Sequence, residues 1–219
     1  NTPRKDTGAL WPMKLRLQIQ SEGRLRSYPV VLATRATSVS LRNVGKPQFI
    51  FANGLDYGYG QFLLDRDSQN YLLANAPPRD DLLRAQIYEA LWESVRNAEL
   101  DPLTYINLCL ARLPAERDDL IATSLLARLR TAYLRYLDDA RQRGVMDRVE
   151  TFLARQSREA PNPRRQLEYL RAYFDLARSA RARDELKEFI AGRAKIAGLQ
   201  LQARDRFRAL RALLIADDP

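Results

Sequence analysis

The sequence contains no histidine, and that absence excludes more chemistry than any residue present suggests. Histidine-ligated zinc, Ser-His-Asp and Cys-His nucleophilic sites, and any imidazole acid or base are ruled out within the chain. Cysteine is scarce as well: Cys109 stands alone, so no internal disulfide can form. It lies in INLCLARL, an apolar stretch where a buried structural thiol is expected rather than a reactive one. No run approaches the ~18 consecutive apolar residues of a membrane span. The opening NTPRKDTGAL lacks the apolar core of a secretion signal. Neither observation assigns a compartment, and cytoplasmic and periplasmic settings both fit. Lysine is rare, 5 against 31 arginines, a skew that reads first as base-composition bias.

What is present is an ordinary globular balance. The 219 residues are 46% apolar and 29% charged, enough for a core and against disorder. The net charge of +9 is spread thinly. Residues 1–76 hold 10 basic and 5 acidic side chains, and residues 77–219 hold 26 and 22. A nucleic-acid binder concentrates its excess on one face, so this balance argues against nucleic acid as a partner. The densest basic stretch, Arg164, Arg165, Arg171, Arg178, Arg181 and Arg183, is diluted by Glu168 and Asp175 and reads as solvated helix faces. Carboxylate pairs such as Asp80/Asp81 and Asp118/Asp119 read as helix starts.

Two periodicities divide the chain. In MKLRLQIQ, Leu15, Leu17 and Ile19 alternate with polar residues, the pattern of a half-buried strand. SEGR supplies a turn, and LRSYPVVL, TSVSLR, PQFIFAN and YGYGQFLLD read as further strands, the last two around an Asn53-Gly54 turn suited to left-handed backbone. From Pro77-Pro78 the period becomes helical. RDDLLRAQIYEALWESVRN sets Ile87, Tyr88, Leu91, Trp92 and Val95 on one face, and DPLTYINLCLARL opens with an Asp cap and proline at the first helical position. A long helix is expected over 118–141, with Ile121, Leu125, Leu129, Ala132 and Tyr136 as its stripe and Gly144 beyond its end. Further helices follow around Val145, Val149 and Phe152, then Leu167, Leu170, Phe174 and Ala177, then Leu186 and Ile190, and last Phe207, Leu210 and Leu214. The expectation is an α+β chain. An antiparallel β-module forming part of a sandwich spans 1–74, and an all-α antiparallel array, HEAT-like or solenoid-like, spans 75–219.

The junction carries the most specific signal. FIFANGLDYGYGQFLLD, residues 49–65, is followed by RDDLLRAQIYEALWESVRNAELDPLTYINLCLARLPAERD. This resembles the aminopeptidase N family of zinc metallopeptidases, in which a β-sandwich ends in a similar Asn, Gly-Tyr, Asp segment and passes into a helical domain. LWPMKLRLQIQ resembles late strands of that sandwich, and RDRFRALRALLIADDP a mid-domain helix. The resemblance is sharpest over 49–119. The family's His-Glu-x-x-His helix, its third zinc ligand Glu and its Gly-x-Met-Glu-Asn strand are missing, and Tyr57 and Tyr59 do not match its catalytic tyrosine.

The resemblance implies a C-terminal fragment that is not itself an enzyme, with no cofactor of its own. Zinc would belong to the catalytic domain of the same polypeptide, which becomes the main partner along with peptide substrates. The family's helical domain caps the active-site chamber. Carried over, the inner face would run near Arg128, Tyr133 and Arg135 in ARLRTAYLRYL, where arginine suits a peptide carboxylate. Asn53, Gly54, Tyr57, Gly58, Tyr59 and Gly60 are architectural in this reading, the glycines permitting a tight turn and close strand approach. The alternative is a stand-alone helical-repeat interaction module that binds a protein or nucleic-acid partner.

Overall fold

The computed structural model describes residues 11–42 and 44–215. The N-terminal stretch in which no secretion signal is seen lies outside them, as do the last four residues of the segment likened to a mid-domain helix. The chain is α+β. Among the described residues there is one three-stranded antiparallel sheet and eight α-helices. Internal contacts divide it into two compact units, residues 1–100 and 101–219. Helices begin at Arg66, ahead of the change of period expected near residue 75, and the compact units part later, after Leu100.

In the first unit, β1 (Met13–Ser21) and β2 (Arg24–Leu32) form a hairpin whose loop is Glu22-Gly23. Both loop residues have positive φ, +49° and +72°, the left-handed pair that matches strand twist. β3 (Phe49–Phe51) pairs with the other edge of β1, giving the order β2-β1-β3. Three strands stand where the sequence suggests five. TSVSLR and YGYGQFLLD are irregular. For the second of these the reason is visible: the Asn53 side chain takes the backbone groups of Gly58 that a strand partner would otherwise satisfy.

The two edges of the sheet limit further pairing in different ways. The amides of Gly54 and Gln48 donate to Arg16 and Gln20 carbonyls, so Arg16, Gln18 and Gln20 turn their backbone groups toward β3. Their β2 partners therefore turn theirs outward, and Pro29, opposite Arg16, brings no N–H to that open edge. On the β3 side, the outward Ile50 amide donates to the Ser68 hydroxyl at 2.8 Å. Ser68 belongs to α1 (Arg66–Ala74), a helix inside the span 1–74 where β-structure is expected. Asp65 caps it, accepting from the Ser68 amide at 2.9 Å and from the Ser68 hydroxyl at 2.6 Å. Then comes α2 (Asp81–Arg96), capped by Asp80, which accepts from the Leu83 amide.

The second unit holds α3 (Pro102–Arg112), α4 (Asp119–Thr131), α5 (Asp139–Glu159), α6 (Pro163–Leu176), α7 (Ala180–Ile190) and α8 (Ala203–Ile215). Its centre is α6, which packs against α4, α5 and α8 and buries Tyr169, Leu170, Tyr173, Phe174 and Leu176. The expected helix over 118–141 ends early. After α4 the backbone widens into a π-turn over Ala132–Tyr136 and leaves the helix at Leu137. The wide turn rotates the stripe, so Tyr133 and Leu137 are buried in the core while Tyr136 is 38% exposed. Asp138 then caps α5, and Gly144 lies inside that helix instead of ending its predecessor. The stripe expected of the last helix is also displaced: α8 buries Asp205, Ala209, Ala212 and Leu213, leaving Phe207, Leu210, Leu214 and Ile215 exposed.

Candidate functional site

The sequence singles out a loop and a helix face. The loop is built around Asn53, a buried amide at the end of β3. Its Oδ1 accepts from the Gly58 amide at 2.9 Å, and its Nδ2 donates to the Gly58 carbonyl at 3.0 Å and to Asp56 Oδ1 at 3.3 Å. One side chain thus closes the whole turn. The left-handed residue is Asp56, with φ +57°; the Asn53-Gly54 pair does not hold that conformation. Gly54 is needed for close approach, since a Cβ there would collide with the Gln18 side chain. At Gly58 a Cβ would meet Leu15 and Phe62. Gly60 has open space around it. Tyr57 and Tyr59 point outward, Tyr59 at 98% exposure.

Beside this loop, and within the first unit, is a pocket of about 460 Å³. Asp56, Glu89 and Glu93 give its wall acidic character, and Tyr59 and Phe62 give it aromatic surface. Glu93 already accepts from Gln61 and Arg96. No sequence signal pointed to this pocket, because Glu89 and Glu93 read as the polar face of an ordinary helix.

The three residues of the helix face fall into different environments. Arg128 is partly buried on α4, and burial lowers its pKa to about 10, which leaves it a cation at neutral pH. Arg135 is exposed on the π-turn. Tyr133 is a core residue, 2% exposed, with its hydroxyl 3.5 Å from the Gln142 carbonyl. Burial, reinforced by the negative charge of Glu150 and opposed by Arg178, pushes the Tyr133 phenol up. It stays a neutral packing group. The arginines can hold an anion; Tyr133 presents nothing to an open face.

Elsewhere the chemistry is structural. Cys109 is buried, and burial pushes its thiol up, so it remains protonated. Arg165, expected on a solvated face, is buried and donates to the Glu116 and Arg117 carbonyls and to Asp119, tying α6 to the start of α4. Glu150, buried in α5, accepts the Arg178 amide at 2.6 Å and the Ser179 amide at 2.9 Å, capping α7 from outside that helix. Asp175 and Asp205 are buried carboxylates paired to arginines. Their only advance signal is an acidic residue set in a helical segment, as in AYFDLAR.

Among the described residues no three His, Cys, Asp or Glu side chains converge as a metal-binding group. The chain has no histidine, and among the described residues the buried carboxylates Glu150, Asp175 and Asp205 are already engaged. No protein-family model matches the chain, and no curated protein matches it.

Proposed function

We propose that this chain is the non-catalytic C-terminal part of a zinc aminopeptidase of the aminopeptidase N type. It would comprise the end of a sandwich and the start of a HEAT-like helical domain that caps the active-site chamber and helps admit and position peptides. The supporting observation is the loop at 53–60. Asn53 closes it through both backbone groups of Gly58, two glycines sit where a Cβ would collide, and the chain then enters a helix capped by Asp65. Of the residues that carry the resemblance, Asn53, Gly54, Gly58 and Asp65 have a definite structural task here, while Tyr57 and Tyr59 are exposed. In this reading zinc belongs to the catalytic domain of the same polypeptide, and this chain contributes binding surface alone. Arg128 and Arg135 remain the candidate contacts to a peptide carboxylate, while Tyr133 is a core residue.

The encoding reading frame tests this directly. Roughly 400 or more residues upstream should include a His-Glu-x-x-His helix and a downstream Glu. A frame without them overturns the reading. In the purified parent, Arg128→Ala or Arg135→Ala should lower kcat/KM several-fold on a ten-residue peptide and leave an aminoacyl anilide nearly unchanged, as expected for about 1 kcal/mol of partly exposed contact. Equal losses on both substrates would remove these arginines from the peptide path. A second reading, an interaction module binding another macromolecule, is favoured by the exposed stripe Phe207, Leu210, Leu214 and Ile215 on α8.

A further inference from the structure

Where α4, α6 and α8 meet, the second unit has a pocket of about 190 Å³ lined in part by Arg130, Arg171 and Arg208, one arginine from each helix. Arg130 Nη1 lies 2.6 Å and Arg208 Nη1 3.3 Å from Asp175 Oδ2, and Arg211 Nη2 lies 3.5 Å from Asp175 Oδ1. Arg171 Nε donates to Asp205 Oδ1 at 2.7 Å, while Asp205 Oδ2 accepts from the Gln202 amide at 3.1 Å. Asp175 thus meets three guanidinium groups and Asp205 one guanidinium group and one backbone amide, so four guanidinium groups face two buried carboxylates. Arg171 Nη2 is buried without a hydrogen-bond partner. Glu168, also on the wall, accepts from the Thr123 hydroxyl at 2.8 Å and lies 3.6 Å from Arg164 Nε.

From this surplus of positive charge we infer a binding site for a compact phosphoryl oxyanion, either free phosphate or a phosphate ester. Three features select that chemistry. Arginine keeps its charge at any physiological pH, so the donors are permanent. They converge from three helices, which suits a tetrahedral anion better than a planar carboxylate gripped by one fork. The volume is below the ~300–1,000 Å³ of pockets for drug-sized molecules, which limits the site to a small group. The inference is independent of the aminopeptidase reading.

The test is calorimetric titration of the purified chain with inorganic phosphate and, separately, with a short phosphoserine peptide. Chloride at matched ionic strength is the blank, and thermal unfolding is the second readout. One saturable site with a raised Tm is expected. Arg171→Gln should weaken binding about tenfold or more, the loss of a charge-assisted hydrogen bond. Arg66→Gln, an exposed substitution of equal charge in the first unit, should leave binding unchanged. Arg208→Gln decides the matter if Arg171→Gln does not fold. Saturation by phosphate alone assigns the site to the free ion, and saturation by both admits an ester. Absence of saturable binding by either probe, or full affinity in the arginine variants, overturns the inference and leaves these arginines as partners of Asp175 and Asp205 only.

Discussion

In the first unit an irregular loop is held mainly by a neutral amide, Asn53, and a sheet edge is closed by a hydroxyl, Ser68. In the second, helix junctions are held by buried charges: Glu150 at the start of α7, Arg165 at the start of α4, Asp175 of α6 paired to arginines of α4 and α8, and Asp205 of α8 paired to Arg171 of α6. The difference follows from what each must satisfy. A loop presents isolated N–H and C=O groups, one donor or acceptor at a time, and a small two-headed side chain matches them. A helix start presents several N–H groups with a positive field, which a carboxylate meets better. Neutral bonds owe nothing to pH. Charge-assisted ones are stronger but depend on protonation and leave a costly remainder when one partner is removed.

The sharpest way to break this comparison is Glu150→Ala. It leaves the Arg178 and Ser179 amides without their carboxylate partner in a partly buried setting and should destabilise the chain by about 3 kcal/mol in urea unfolding. Both tryptophans, Trp11 and Trp92, belong to the first unit, so their fluorescence reports on it, while far-UV circular dichroism weights the helices of the second. The loss should appear first in the dichroism. Coincident transitions by both probes would show that the units unfold together and that their separate chemistries are not separately tested.

Next in size is Asn53→Ala, which orphans both backbone groups of Gly58 and should cost about 2 kcal/mol, seen first in fluorescence and in hydrogen exchange over 53–60. An unchanged fluorescence midpoint would remove the Asn53 amide as the closure of the loop. The cost should not vary between pH 5 and 8.

Acid should expose the charged joints. Burial pushes the Asp205 carboxyl up, but hydrogen bonding and charge from Arg171, with the Gln202 amide and Arg204, outweigh it and hold the pKa below the usual value of 3.8. A carboxyl whose folded pKa is depressed stabilises fully above its unfolded pKa and loses that contribution as pH falls through the folded one. Stability should therefore fall below about pH 4, and Asp205→Asn should flatten that fall in the dichroism signal. Asp65 is lowered in the same direction: burial pushes it up, and the Ser68 hydroxyl and nearby backbone amides outweigh that. Asp65→Asn should flatten the fall in the fluorescence signal. An identical acid limb in variant and parent would show that these carboxylates do not govern the acid response.

The smallest effect has the opposite sign. Ala98 follows α2 with φ +60°, the position where a helix end favours glycine. Ala98→Gly should stabilise by about 0.5–1 kcal/mol, read as a higher urea midpoint; a lower midpoint would mean that flexibility in the unfolded chain outweighs the relief of strain.

How far the molecule was legible depends on range. The hairpin could be read because Leu15, Leu17 and Ile19 alternate and Glu22-Gly23 can turn. The start of α3 could be read because Asp101-Pro102 is a local signal. YGYGQFLLD has strand-like composition, yet the backbone groups of its Gly58 are taken by the Asn53 side chain and not by a strand partner. Likewise, Arg165 and Arg171 looked solvated because nothing local marks an arginine whose partners lie in α4 or α8. The Asn53 loop was legible as a motif, and its physical task was not.

By itself, the sequence determined the absence of imidazole chemistry, the switch from period two to helical period, the turn at Glu22-Gly23 and the helix caps at Asp80 and Asp118. These depend on residue type and on neighbours within a few positions. Tertiary structure alone decided that α4 would widen into a π-turn, that Tyr133 would enter the core in place of Tyr136, that the stripe of α8 would face outward, and that four arginines would gather over Asp175 and Asp205. Each is a competition among segments for a limited amount of buried space. A one-dimensional pattern names the residues able to be buried, and only packing chooses among them.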